Sequence, residues 1–210
     1  DTLSNHWGLT FAHAPKAVSI VVTLNGEGNL RAVWHDHNKG DRSPPLVEVK
    51  HSAIKPGTEF NKVMVILRDR RVEIYVNNVA VCDPIDLDSP HEPVNVAPML
   101  VSNKKGSVEF RHFSVWSADG LPTPEDRLKK GEVPLMVAPK AAFAWPGDAL
   151  RERRIPAPDL SKVKPRFDAD FGDPKSGWPQ GKNPPDKTGF SVKLAQEKKM
   201  YSIVLPAGGG

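Results

Sequence analysis

Residues 57–83 read GTEFNKVMVILRDRRVEIYVNNVAVCD, and this stretch decides the fold. Val63-Met64-Val65-Ile66-Leu67 is an unbroken apolar run of strand length. Arg68-Asp69-Arg70-Arg71 is a charged break, after which Val72-Glu73-Ile74-Tyr75-Val76 alternates. A strand sends successive side chains to opposite faces, so Val72, Ile74 and Val76 share one face and Glu73 and Tyr75 the other. Asn77-Asn78 is a turn pair, because asparagine tolerates left-handed backbone angles. Val79-Ala80-Val81 then returns. The expectation is a meander with one buried face and with Glu73 and Tyr75 on its polar, solvent side.

Upstream, residues 6–11 alternate as a short strand, and VSIVVTL over residues 18–24 is a strong β run. Asn25-Gly26-Glu27-Gly28 reads as a hairpin turn, from which LRAVWH over residues 30–35 returns antiparallel. Residues 46–49 are a further strand. Downstream, residues 83–93 form a loop rich in proline and aspartate. Residues 94–101 are apolar, with Pro98 consigning them to an edge or a bulge. Residues 107–116 alternate with one slip, turning Val108, Phe110, Phe113 and then Val115 or Trp116 inward. Short strands at this regular spacing predict two packed sheets. Residues 118–165 break the pattern with eight prolines. Thr123 reads as the cap of a helical turn or two with Pro124 at the first position, and the rest of the segment as an extended strap. Residues 189–194 and 200–205 resume β character.

Composition bounds the function classes. The chain has 210 residues with 39% hydrophobic, 7% aromatic and 26% charged, a globular profile. Its 21 prolines disfavour long helices. No run approaches the ~20 apolar residues of a membrane-spanning helix. Asp1 to Asn5 is polar and lacks a charged and then apolar lead-in, as expected of a piece of a longer chain. The single cysteine, Cys82, excludes an internal disulfide framework and reads as a buried small hydrophobe. The net charge of +4 is spread in short clusters without interleaved aromatics, which argues against a nucleic-acid partner.

Three stretches resemble the concanavalin A-like (laminin-G/glucanase-type) β-sandwich superfamily, near the 3-keto-disaccharide hydrolase-like domains of bacterial multidomain proteins. Residues 53–77, running from Ala53-Ile54-Lys55-Pro56-Gly57 to Tyr75-Val76-Asn77, are similar to the core of such domains. Val108-Glu109-Phe110-Arg111-His112-Phe113 is similar to their last strand, and residues 170–178 (DFGDPKSGW) to their first. The family's opening motif thus follows its closing motif. The resemblance implies parts of two tandem copies, or one sandwich closed by circular permutation. Residues 1–117 would be the major part of a sandwich and 118–165 a proline-rich linker or strap. Residues 166–210 would be N-terminal strands, completing 1–117 or belonging to a second copy. In the family the first and last strands are antiparallel neighbours. The strand near Phe171 is therefore expected to pair with residues 108–115, in the same molecule or in a strand-swapped homo-oligomer.

Candidate chemistry is sparse. Glycoside hydrolysis needs two carboxylates facing each other across a sugar. The E-x-D-x-E motif of the superfamily's glucanases is missing, and Glu48, Glu73 and Glu109 each stand alone as expected solvent-face residues. His35-Asp36-His37 lacks an identifiable third ligand for a metal and reads as a surface turn. Asp83, Asp86 and Asp88 form an oxygen-rich loop that is a candidate for calcium, without the spacing of an EF-hand; the competing reading is aspartate as turn former. Exposed aromatic rings stack on sugars: Trp34 and Trp116 read as core, and the candidate ligand-binding residues are Tyr75, Trp145 and Trp178. The reading is an all-β fold, a two-sheet antiparallel jelly-roll sandwich with a proline-rich strap. It is expected to serve as a non-catalytic module for carbohydrate or protein recognition at an extracellular, cell-surface or periplasmic site. The alternatives are a carbohydrate-active hydrolase-like domain and a structural spacer repeat.

Overall fold

The computed structural model describes residues 6–13, 18–36, 38, 44–88, 93, 95–101, 106–129, 157–169, 181–182, 193–197 and 200–205. They are mostly β. Strands β1 (His6–His13), β2 (Val18–Asn25), β3 (Asn29–Asp36), β4 (Pro45–Lys50) and β9 (Asn95–Val101) form a five-stranded antiparallel sheet in the order β4-β3-β2-β1-β9. Strands β5 (Val63–Arg68), β6 (Arg71–Val76), β7 (Val79–Ala80) and β8 (Ile85–Asp86) form a four-stranded sheet in which β6 pairs with each of the other three. The short α1 (Pro124–Lys129) follows.

Register decides which side chains meet. Phe11 lies opposite Ile20, Leu9 opposite Val22 and Trp7 opposite Leu24. Trp34, Ala32 and Leu30 continue those three rows on β3. Residues directly opposite share a face. The face so made is apolar, and with Val72, Ile74 and Val76 of β6 it forms one hydrophobic cluster that also takes in Ile54, Val81 and Leu87. Ile20, Leu30, Val72 and Val76 are fully sealed within it. Each such side chain contributes roughly 1.5–3 kcal/mol by leaving water.

The turns follow local chemistry. Asn77 and Asn78 both take positive φ, 51° and 67°, the backbone that the two-residue β6–β7 hairpin demands. The Asn77 side chain also gathers the neighbouring loop, accepting from Lys62 N at 3.0 Å and donating to Ala53 O at 2.7 Å. In the β2–β3 hairpin the left-handed residue is Gly28 (φ 84°) and not Gly26 of the Asn-Gly pair. The reason is the Asn25 carboxamide, whose Oδ1 accepts from the backbone N–H groups of both Glu27 and Asn29 at 3.0 Å and fixes a wider loop. Gly8 on β1 is buried, and a Cβ there would collide with the carbonyl oxygen of Val22. Pro98 sits within β9, an edge strand of the five-stranded sheet.

The later chain returns to the earlier part. β10 (Gly106–Phe110) pairs antiparallel with β15 (Met200–Leu205), in a sheet ordered β10-β15-β14-β13 with β14 (Lys193–Glu197) and β13 (Gly181–Lys182). β11 (Phe113–Val115) pairs with β12 (Phe167–Ala169). Phe113 and Ala169 are buried in a second cluster with Val108, Phe110 and Val115 packed against it. The break at Arg111-His112 is the slip that keeps Val108, Phe110, Phe113 and Val115 inward. Phe171 lies outside the described residues.

Candidate functional site

The second face of β6 differs from the sequence expectation. Glu73 is 3% exposed and Tyr75 1%, so neither lies on a solvent side and Tyr75 offers no ring for surface stacking. The cover is α1. Thr123 caps it: Thr123 Oγ1 accepts from Asp126 N at 3.1 Å, and Asp126 Oδ2 accepts from Thr123 N at 3.2 Å, a reciprocal box with aspartate in place of the usual glutamate. Pro124 at the first helical position has no N–H to leave unsatisfied. The helix directs Arg127 onto β6, where its side chain is 2% exposed.

An ionic network results. Arg127 Nη2 donates to the Tyr75 hydroxyl oxygen and to Glu73 Oε2, the latter at 3.4 Å. Tyr75 in turn donates to Glu73 Oε2 at 2.5 Å. Arg68 Nη1 stands 3.5 Å from Glu73 Oε1, and Arg68 Nη2 donates to Pro122 O at 3.2 Å. At the rim, Arg71 Nη2 donates to Glu125 Oε1 at 2.6 Å. Burial, and then the hydrogen bond to Glu73, push the Tyr75 phenol well above its ordinary range. A cavity of about 10 Å³ beside the network is lined by Tyr75, Ala80, Cys82, Pro84 and Pro124. The Cys82 thiol is pushed up to about 12, by burial and then by the charge of Asp83. Glu73 serves here as the hydrogen-bond acceptor for Tyr75 and Arg127 and as the ion-pair partner of Arg68, in a closed space. It faces no sugar-sized trough.

Two further groups lie on the surface. Arg111 places its guanidinium carbon 3.5 Å from the centre of the Phe60 ring, and Phe60 is 41% exposed. The cation fixes the ring on the loop before β5 while leaving it open to solvent. His112, Ser114 and Asp168 meet where β11 pairs with β12. Ser114 Oγ donates to Asp168 Oδ1, and His112 Nε2 lies 2.5 Å from Ser114 Oγ and 3.0 Å from Asp168 Oδ1. This has the composition of an acyl-transfer triad without its geometry. Both oxygens meet the same ring nitrogen, and the serine hydroxyl donates its hydrogen bond to the aspartate, whereas a triad sets the aspartate on the other ring nitrogen so that the imidazole faces the hydroxyl as base.

Of the residues expected to form sites, Asp83, Asp86 and Asp88 are exposed. Asp86 lies in β8, opposite Arg71. No group of three or more His, Cys, Asp or Glu side chains among the described residues is disposed to hold a metal ion. Trp145, Trp178 and His37 lie outside the described residues. Glu48 and Glu109 are exposed, and Trp34 packs against the main cluster, both as expected. Arg127, Arg68, Phe60 and Arg111 were not among the sequence candidates. Apart from Glu73 beside Arg68, their partners are distant in sequence, and only the Thr123-Pro124 cap marked the arrival of α1. No helix among the described residues is long and apolar enough to cross a membrane. Comparison with known families, with curated proteins and with solved structures finds no match for the chain.

Proposed function

We propose that this chain is a non-catalytic recognition module built as a concanavalin A-like jelly-roll sandwich, and that its ligand is a glycan. The observation that carries the reading is the Phe60–Arg111 pair, an exposed aromatic ring held in place by a guanidinium. A flat ring packs against the C–H face of a pyranose, and arginine supplies a fork of donors to hydroxyls or to a uronic carboxylate. The strand order supports the sandwich: β1, β2 and β3 run as consecutive hairpins, and β9 returns by a long connection to lie beside β1, a Greek-key relation. The one buried carboxylate among the described residues is occupied by Tyr75 and two arginines, which favours binding over hydrolysis.

The test is a glycan array probed with the wild-type chain, Phe60→Ala and Arg111→Ala. Binding to a defined set of sugars, weakened about tenfold or more by either substitution, is the expected result. Binding that ignores both substitutions would remove the platform from the reading. A wild-type protein that retains no glycan at all would leave the structural-spacer alternative.

A further inference from the structure

Glu73 and Tyr75 are two apart on one strand and aim to the same side of β6, so the strand alone assembles them. Together they present a carboxylate, a phenol oxygen and an aromatic face, three groups that suit a guanidinium. The guanidinium that fills the space comes from the chain itself. Arg127 donates to both residues, and its Cζ stands 5.3 Å from the centre of the Tyr75 ring. The match is incomplete, because Arg127 Nε and Nη1 are buried without a hydrogen-bond partner. The helix that delivers it has six residues, too few to persist in water without tertiary contacts. Its rim contacts are the Arg71–Glu125 pair, which is part-exposed, and the hydrogen bond from Arg68 to the Pro122 carbonyl. A space of about 10 Å³, on the order of a single water, lies between Pro124 and the side chains of Tyr75 and Cys82.

We infer that Glu73 and Tyr75 form an arginine-binding pocket, that α1 plugs it in cis with Arg127, and that an arginine side chain of a partner peptide can take the plug's place. The pocket shares no residue with the Phe60–Arg111 platform and does not depend on glycan recognition. A tethered plug competes with an effective concentration on the order of millimolar. The free pocket is therefore seen best when the plug is removed, and in the intact chain only at higher ligand concentrations.

The experiment uses the full chain with Arg127→Ala and, as probe, methylguanidinium, with methylammonium at equal ionic strength as control. Methylguanidinium should raise the Tm of Arg127→Ala by about 3 °C at saturation. The control cation should not, and the doubly substituted Arg127→Ala/Glu73→Gln chain should not respond. A folded Arg127→Ala that shows no shift, or an equal shift in the double variant, overturns the proposal. Should Arg127→Ala not fold, the wild-type chain answers through Cys82, its only cysteine, which lines the cavity under Pro124. Methylguanidinium at ~10–50 mM should then speed thiol labelling about threefold or more over methylammonium, with the far-UV circular dichroism unchanged. Equal labelling rates in the two cations overturn the proposal.

Discussion

Glu73 and Arg127 form a pair whose two members should be unequal under substitution. Glu73→Gln removes the charge that two guanidiniums share, one on a side chain 2% exposed and the other 19%. Breaking a buried pair by neutralising one partner costs about 3–5 kcal/mol. The partial exposure of Arg68 lets water replace some of its loss, so we expect about 3–4 kcal/mol. Arg127→Met is different. The Glu73 carboxylate keeps the Tyr75 hydroxyl and Arg68, and the unbranched methionine stem keeps much of the packing. The substitution also deletes two buried nitrogens that have no partner, each of which costs about 1–3 kcal/mol in the native protein. The net loss should be about 0–2 kcal/mol by these opposing contributions. Urea unfolding followed by tryptophan fluorescence reads both, provided the slopes agree. An Arg127→Met loss equal to or larger than that of Glu73→Gln would refute the reasoning, since the unsatisfied nitrogens would then not be a native-state cost.

Two further outcomes follow from the five-stranded sheet. His6 is held below its ordinary range by burial and then by Arg31, against opposing contributions from Glu48 and Glu27. The unfolded chain therefore binds that proton more tightly. The stability His6 contributes is present above about pH 6.5 and is lost as the pH falls from there toward the lowered folded value. The urea midpoint should decline across that window, and His6→Gln should flatten the decline; an unchanged pH profile in the variant would exclude His6 as the cause. Gly8→Ala sets a methyl group against the Val22 carbonyl oxygen, a backbone atom that cannot swing aside. It should cost about 2–3 kcal/mol or prevent folding, and a Tm within about 1 °C of wild type would show that β1 shifts freely.

Where the signal is local, the sequence was legible. The β2–β3 hairpin and the β5–β6–β7 meander were readable because period-two alternation and turn residues act within a few positions of each other. The inward residues of β10 and β11 were readable for the same reason, slip included. Glu73 and Tyr75 were misread for a definite reason. Alternation tells which residues share a face, and it does not tell whether something covers that face. The cover arrives with Arg127, from a helix of six residues on the far side of β7 to β11. A glutamate and a tyrosine two apart on a strand do not identify a distant arginine, because many strands carry such a pair in water. The Phe60–Arg111 contact was hidden likewise, since it joins two loops. The short β8 escaped because its two residues carry no periodicity and no turn pair announces them, as Asn77-Asn78 announces the equally short β7.

β1 occupies the interior of its sheet, with β2 on one side and β9 on the other, and His6 finds its second partner in Val101. During synthesis β2 emerges directly after β1, whereas β9 leaves the ribosome on the order of ten seconds later at ordinary translation rates. Throughout that interval the nascent chain carries a paired hairpin with one unsatisfied backbone ladder. Fragments ending before residue 95 should accordingly accumulate in the insoluble fraction or on chaperones, while a chain extended past Val101 should release from them.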